Sequence, residues 1–355
     1  MNPSLAGPVL VVGCGLMGTS TGLALRRREV EVYLDDLRRS HVEVAESRGA
    51  GSGEKPTSVA MVVIAVPPDH VGPAVVDALR EWPEAVVTDL SSIKAGPLAV
   101  VRAQAGADAA RYVGGHPMAG SERSGPVAAS EQLFDGRAWA VTPSPDADPT
   151  AVEQARVLAT TCGATVIELS PDEHDAAVAR VSHLPHVMAV LAAAQLNGGP
   201  ETHLALSGQG LRDVTRIAGG DPRLWRQILG GNASHLGRIL RSVRADIDTL
   251  LTGLESSPDE IVKVLERGVH GTDLIPGKHG AELPAESTVY VHLPDRPGEL
   301  ARLFGDAGES GVNIEDLRID HDPARPVGLV EVVVASDRVD TLIDALGERG
   351  WRAHR

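Results

Sequence analysis

The sequence predicts an α/β protein in which a parallel-sheet domain is followed by an all-helical segment and then by a small β-α-β-β-α-β domain. Three observations carry this. Short apolar runs alternate with helical patterns as far as residue 168, as in successive β-α-β units. Strand patterns then stop until residue 287, and after a stretch rich in Gly and Pro they return in a four-strand, two-helix order. The chain has 355 residues, enough for two or three domains. Boundaries are expected at 1–170, 171–270 and 287–355, with a linker over 271–286.

Composition narrows the function. The formal net charge is −15, so nucleic acid and anionic membrane are disfavoured partners. A small anionic ligand would need locally placed arginines, and arginine carries nearly all the positive charge because there are only four lysines. Cys14 and Cys162 make neither a disulfide framework nor a metal cluster. No apolar run reads as membrane-spanning and no signal-peptide pattern precedes the first strand, so a cytoplasmic location is expected.

Pro8 to Val12 is a continuous apolar run that meets Gly13-Cys14-Gly15-Leu16-Met17-Gly18, and Thr19 to Arg28 follows as a helix. Strand, glycine turn and helix form the fingerprint of a Rossmann-type dinucleotide site. Gly13 makes the turn, Gly15 admits the pyrophosphate, Gly18 lets helix and strand pack, and Leu16 and Met17 lie at the helix start where N–H groups are free. A second strand, Val30 to Leu34, ends in Asp35-Asp36. Asp36 stands 18 residues past Gly18, where a ribose-binding carboxylate belongs, and it would repel a 2′-phosphate. NAD is therefore expected, with Arg38 and Arg39 keeping NADP open.

A third strand, Met61 to Val66, brings Val66 to the same cofactor edge and stops at Pro67-Pro68; a helix from Asp69 to about Arg80 follows, with Asp69 as its cap. A fourth strand, Ala85 to Thr88, runs into Asp89-Leu90-Ser91-Ser92-Ile93-Lys94. Ser91 and Ser92 read as helix caps or as site hydroxyls, Ser91 toward the cofactor. Lys94 reads as a site cation or a solvated first-turn residue. Ligands of doubly wound folds bind at this carboxyl edge.

The next strand runs into Val113-Gly114-Gly115-His116-Pro117-Met118-Ala119-Gly120-Ser121-Glu122. Glycines permit turns and close approach to a ligand, and an imidazole titrates near neutrality, so His116 is the expected catalytic base. Ser121 is a candidate substrate contact, and residues 119–136 form an expected lid. Ala138 to Thr142, a helix from Pro149 to Thr161, and Ala164 to Glu168 complete the domain.

Asp172 to Leu196 is a long alanine-rich helical pattern carrying His174-Asp175 and Ser182-His183-Leu184-Pro185-His186. A His-x-x-His pair invites a metal reading, but no further ligands complete a site, and no metal is expected. Arg212 and Arg216 share a helical face within 210–222 and can grip a carboxylate, unless Asp213 or Asp221 pairs with one of them.

D-L-S-S-I-K, G-G-H-P-M-A-G-S-E, H-D, S-H-L-P-H and T-R-I-A-G-G-D-P, in this order over residues 8 to 255, resemble the prephenate/arogenate dehydrogenase family. The resemblance implies NAD(P)-dependent oxidative decarboxylation of a cyclohexadienol, with hydride leaving C4 and the ring carboxylate departing as CO₂. It implies that His116 and Ser92 meet the 4-hydroxyl, that His186 lies at the substrate, and that Arg216 holds a carboxylate, with His183 behind them. NAD-dependent prephenate dehydrogenase in tyrosine biosynthesis is the expected function. Arogenate dehydrogenase, an amino-prephenate dehydrogenase of secondary metabolism, and a silent sensor of NAD and amino acids are the alternatives. β-Hydroxyacid dehydrogenases rely on a lysine in the helical domain, and residues 172–255 contain none.

Residues 271–286, with Pro276-Gly277-Lys278-His279-Gly280 in their middle, read as the linker. Strands are expected at Thr288 to Leu293, Asn313 to Ile319, Val327 to Ala335 and from Trp351, with helices at Pro297 to Ser310 and Arg338 to Leu346. This ferredoxin-like pattern, with Asp295-Arg296-Pro297-Gly298-Glu299-Leu300 and Gly311-Val312-Asn313-Ile314, resembles an ACT domain. The resemblance implies an effector site at Asp295, Gly298, Asn313 and Ile314, with tyrosine as the candidate effector, and pairing in a homodimer.

Overall fold

In the structure, a computed structural model, residues 5–120, 123–275, 286–294, 296–321 and 327–355 are described. The first region contains β1 (Val9–Val12), α1 (Leu16–Arg26), β2 (Val32–Asp35), α2 (Arg39–Ser47), β3 (Met61–Ile64), α3 (Pro68–Glu81), β4 (Val86–Asp89), α4 (Ala95–Ala105), β5 (Tyr112–Pro117), β6 (Ala138–Thr142), α5 (Pro149–Thr161) and β7 (Thr165–Glu168). The strands form one sheet in the order β2-β1-β3-β4-β5-β6-β7, parallel except where β6 meets β5 in the antiparallel sense. Alternation along the strands explains the uninterrupted apolar runs. Val9, Val11, Met61 and Val63 face one core with α1, α2 and α5, while Leu10, Val62 and Ile64 face a second core with α3 and α4. Both faces are dry, as a parallel sheet requires, and each fully buried Val or Leu contributes about 1.5–3 kcal/mol.

Two expectations change here. Helix α1 begins at Leu16, three residues before Thr19, because it starts directly on the glycine loop. Asp69 does not cap α3; Pro67 occupies that position. The Asp69 amide instead donates to Gln227 Oε1 and its carboxylate faces Arg226 at 3.5 Å, so it ties α3 to a later helix.

The helical region contains α6 (Pro171–Val178), a π-helical turn at Ala179–His183, α7 (Leu184–Ala194), α8 (Glu201–Leu204), α9 (Gln209–Arg216), α10 (Pro222–Gly231), α11 (Ala233–Ser256) and α12 (Pro258–Asp273). A Ser170–Glu173 capping box starts α6. The continuous helix Pro171–Ala194 is long and apolar enough by composition to cross a membrane, contrary to the sequence expectation. His174, Asp175, His183 and His186 are buried along it, whereas Val181, Val190 and Leu191 are exposed.

The chain divides into two compact units, one ending at Ala245 and the other starting at Asp246 inside α11. Helix α12 continues to Asp273, past the start of the expected linker, and Pro276 to Gly280 lie outside the described residues. The second unit holds β8 (Glu286–Pro294), α13 (Glu299–Glu309), β9 (Asp316–His321), β10 (Val327–Ala335), α14 (Val339–Glu348) and β11 (Ala353–His354), with the antiparallel order β11-β8-β10-β9. Val289, Val291, Val330 and Val332 pack with Leu303, Leu342 and Trp351 in its core. Asn313 does not open a strand: β9 starts at Asp316, and the Asn313 amide donates to Glu315 Oε1. Gly298 has the positive φ that suits glycine (92°), Ile314 packs on the core, and Asp295 lies outside the described residues.

Candidate active site

Two structures meet at the carboxyl edge of the sheet. The first is the glycine loop between β1 and α1. Gly13 has φ +101°, and a Cβ there would stand 2.5 Å from the Ala65 carbonyl oxygen, beside Val66. A Cβ on Gly18 would stand 1.9 Å from the Gly13 oxygen, whereas Gly15 faces open space. The positive φ thus falls on Gly13, close backbone packing on Gly13 and Gly18, and open space on Gly15. Asp36 accepts from Cys14 N at 2.7 Å and from Arg38 N at 2.8 Å, which holds its carboxylate against the loop. Leu16 and Met17 form the first turn of α1. Burial pushes the Cys14 and Cys162 thiols up to about 12, so both stay protonated.

The second structure is β5 and what supports it. Gly114 and Gly115 are strand residues, not a turn. A Cβ on Gly114 would stand 2.5 Å from Thr142 Oγ1, and one on Gly115 would stand 2.7 Å from the Asp89 oxygen, so glycine admits neighbouring groups that any side chain would displace. Lys94 is 1% exposed rather than solvated. Its Nζ donates to the Asp89 carboxylate and, at 2.6 Å, to the Gly115 oxygen, while Tyr112 Oη and Ser91 N also donate to Asp89 at 2.9 Å each. Burial lowers the Lys94 pKa, opposed by the Asp89 charge. A buried cation paired and bonded in this way is structural support.

His116 therefore sits on a clamped strand, 9% exposed. Its Nδ1 lies 2.9 Å from His174 Nε2, and His174 Nδ1 lies 2.9 Å from Asp175 Oδ1. Asp175 Oδ1 also accepts from Lys94 N, and Oδ2 from Ala95 N, both at 2.9 Å, at the start of α4. Burial, then the charges of His174, Lys94 and His183, hold the His116 pKa well below its ordinary value. Burial lowers His174 despite Asp175. Burial alone would raise Asp175, but the bonds from His174, Ala95 and Lys94 leave it lowered. His116 is neutral at pH 7 and able to accept a proton.

His116, Pro117, Met118, Ala119, Gly120, Leu133, Arg137 and Ser182 line a cavity of about 390 Å³. The loop expected as a lid is held in place: Arg48 donates to the Val127 and Ala129 oxygens, and Ser130 N to Ser20 Oγ. Ser121 lies outside the described residues. Ser91 turns inward, and Ser92 is half-buried in the β4–α4 connection without lining the cavity. His183 Nδ1 lies 3.2 Å from Asn232 Nδ2, and that same amide donates to the Asp175 carbonyl oxygen at 2.7 Å. Burial takes His183 from 6.5 to about 4. The His186 ring stacks on Trp225 at 3.4 Å between centroids, and burial lowers its pKa. Among the described residues His183 Nε2 and His186 Nδ1 have no hydrogen-bond partner.

Arg212 and Arg216 are exposed on α9 and do not line the cavity. The acidic neighbours are engaged elsewhere, Asp213 by Gln209 Nε2 and Asp221 as the cap of α10. Sequence reasoning missed the linkage of His174 and Asp175 to His116, the brace from Asn232, and the place of Arg137 in the cavity wall. The adjacent His-Asp pair was the one visible signal. Among the described residues no group of three or more His, Cys, Asp or Glu side chains is arranged to hold a metal ion.

Residues 21–168 match the model of the prephenate dehydrogenase nucleotide-binding domain, and residues 170–267 that of the prephenate dehydrogenase dimerization domain. The probable prephenate dehydrogenase NovF of Streptomyces niveus is 34% identical, over 97% of this chain and 99% of that protein. Among solved structures, prephenate dehydrogenase from A. aeolicus in complex with hydroxyphenyl propionate and NAD+ superposes with a TM-score of 0.69 at 27% identity, covering 77% of this chain and 100% of that one. Synechocystis arogenate dehydrogenase gives 0.64 at 26% identity, covering 75% and 98%. With both family models matched in sequence and a relative aligned nearly end to end, the chain belongs to the prephenate dehydrogenase family.

Proposed function

We propose that this protein is an NAD-dependent prephenate dehydrogenase that converts prephenate to 4-hydroxyphenylpyruvate and CO₂. The observation that carries this reading is a neutral, buried His116 at the wall of a cavity on the ligand-binding edge of the sheet. NAD fits the glycine loop, where Gly15 leaves room for a pyrophosphate and Asp36 is positioned for ribose hydroxyls. When bound there, NAD would supply the acceptor for the hydride that leaves C4 of the ring. His116 accepts the 4-hydroxyl proton as the C–H bond breaks, and returns it to the oxygen once CO₂ has left and the ring is aromatic. General-base assistance of this kind contributes about 10²- to 10⁴-fold. On the family resemblance Ser92 is read at the hydroxyl, His183, His186, Ser121, Arg212 and Arg216 at the anionic side chain, and Val66 and Ser91 at the cofactor; among the described residues none of these lines the cavity around His116.

The reading is supported by the family match and by the A. aeolicus relative solved with NAD+. Arogenate is the second reading, supported by the Synechocystis relative. The C-terminal unit is read as an ACT module that takes tyrosine at Gly298, Asn313 and Ile314, and the helical region as the contact of a homodimer. Formation of reduced nicotinamide with prephenate and with arogenate, each with NAD and with NADP, tests the assignment. Turnover of prephenate with NAD is expected, and no turnover of either substrate overturns it.

A further inference from the structure

We propose that His174 and Asp175 are positioning residues that fix His116 in the tautomer protonated on Nδ1, leaving the Nε2 lone pair bare toward the cavity. The inference rests on the reading of His116 as the base and extends it to two residues that do not touch the substrate.

Asp175 is the most constrained group of the line. Both oxygens of Asp175 face backbone N–H groups, Lys94 N on Oδ1 and Ala95 N on Oδ2. A backbone N–H can only donate, so Asp175 is held as a carboxylate that accepts on both sides. His174 Nδ1, 2.9 Å from Oδ1, must then carry its proton and donate it. A neutral imidazole has one N–H, and His174 is 1% exposed with its cationic form disfavoured, so its Nε2 is an acceptor. The atom 2.9 Å away, His116 Nδ1, is left as the donor. Neutral His116 has no second proton, and Nε2 is free to act as base.

The same line serves during the reaction. When Nε2 takes the substrate proton, the imidazolium keeps its Nδ1–H directed at His174 and, through that ring, at the Asp175 carboxylate. No proton need pass along the chain. The support comes from another part of the fold than the base: His116 is on β5, whereas His174 and Asp175 are on α6. Asn232 holds α6 in place through the Asp175 carbonyl oxygen.

Nitrogen NMR of the histidine-labelled protein reads the tautomer directly. The expected result is an Nδ1–H, Nε2-unprotonated His116 in the wild type. An Nε2–H His116 overturns the proposal whether or not the protein is active. Kinetics supply the second arm. His174→Leu removes the acceptor and should lower kcat by about 10²- to 10⁴-fold with KM little changed. His174→Gln can still accept from His116 Nδ1 through its amide oxygen and should regain about tenfold of that loss. Asp175→Asn places an amide donor against a backbone N–H or against His174, and should scramble the His116 tautomer. Full kcat in His174→Leu would refute the positioning role alone. A wild type that turns over neither prephenate nor arogenate would refute the proposed function, and the NMR result would still decide the tautomer.

Discussion

The two halves of the site work by opposite means. At the glycine loop the important atoms are backbone and the important side chains are absent: Gly13, Gly15 and Gly18 serve by lacking a Cβ. At His116 nearly everything depends on buried polar side chains drawn from β4, α4, β5, α6 and the end of α10, with Asp89, Lys94, Asp175 and Asn232 each completing a neighbour's hydrogen bonds. Spacing along the chain can announce a site made of backbone. A site made of converging side chains has no such period.

Breaking each half should look different. The largest effect is expected from His116→Asn, which should lower kcat by about 10³- to 10⁴-fold while leaving NADH binding intact by fluorescence; equal losses in both would merge the two halves. Next comes Gly18→Ala, whose methyl would stand 1.9 Å from the Gly13 oxygen. It should cost about 1–3 kcal/mol of stability in a denaturant melt, along with cofactor affinity. Gly15→Ala meets nothing within 4 Å, so it should keep its stability within about 0.5 kcal/mol and yet bind NADH about tenfold more weakly. A Gly15→Ala protein that melts early, or a Gly18→Ala protein that melts normally, would contradict the division between packing and clearance.

The last effect is in pH. His116, His174 and His183 all have folded-state pKa values below the unfolded 6.5, so the unfolded chain binds more protons as the pH falls. Their stabilising contribution is whole above pH 6.5 and is lost as the pH drops toward the His183 value of about 4. The melting temperature should decline across that window, and the acid limb of kcat/KM should lie below 6.5. A melting temperature unchanged over the same range would show that these histidines are not buried in the neutral form.

Much of the fold was legible. Helix α5 and strands β6 and β10 run over the residues that the apolar periods and turn signals mark, because Pro149 starts the helix and β-branched runs fill the strands. Other elements obeyed tertiary contacts that no local pattern carries. Asp69 has the chemistry of a cap and is used as a bridge to α10. Gly114 and Gly115 look like a turn and are strand, because Thr142 and Asp89 need their space. Lys94 reads equally as a site cation or as a solvated first-turn residue and is buried, because its partner Asp89 ends the preceding strand. Histidine 116 could be chosen from its motif, but the distance from it to His174 spans 58 positions of sequence.

The antiparallel entry of β6 has a consequence for how such a protein changes over time. The chain leaves the sheet at Pro117 and re-enters at Ala138 beside it, and both ends of the intervening loop line the cavity, with Met118 to Gly120 at one end and Leu133 and Arg137 at the other. Its cavity-facing residues can change without rethreading a strand, while Phe134, buried in the core of the sheet, and residues 127–130, pinned by Arg48 and Ser20, stay fixed. Selection for a different ring substituent can therefore act in part on Met118 to Gly120, Leu133 and Arg137, while the strand that carries His116 is inherited intact.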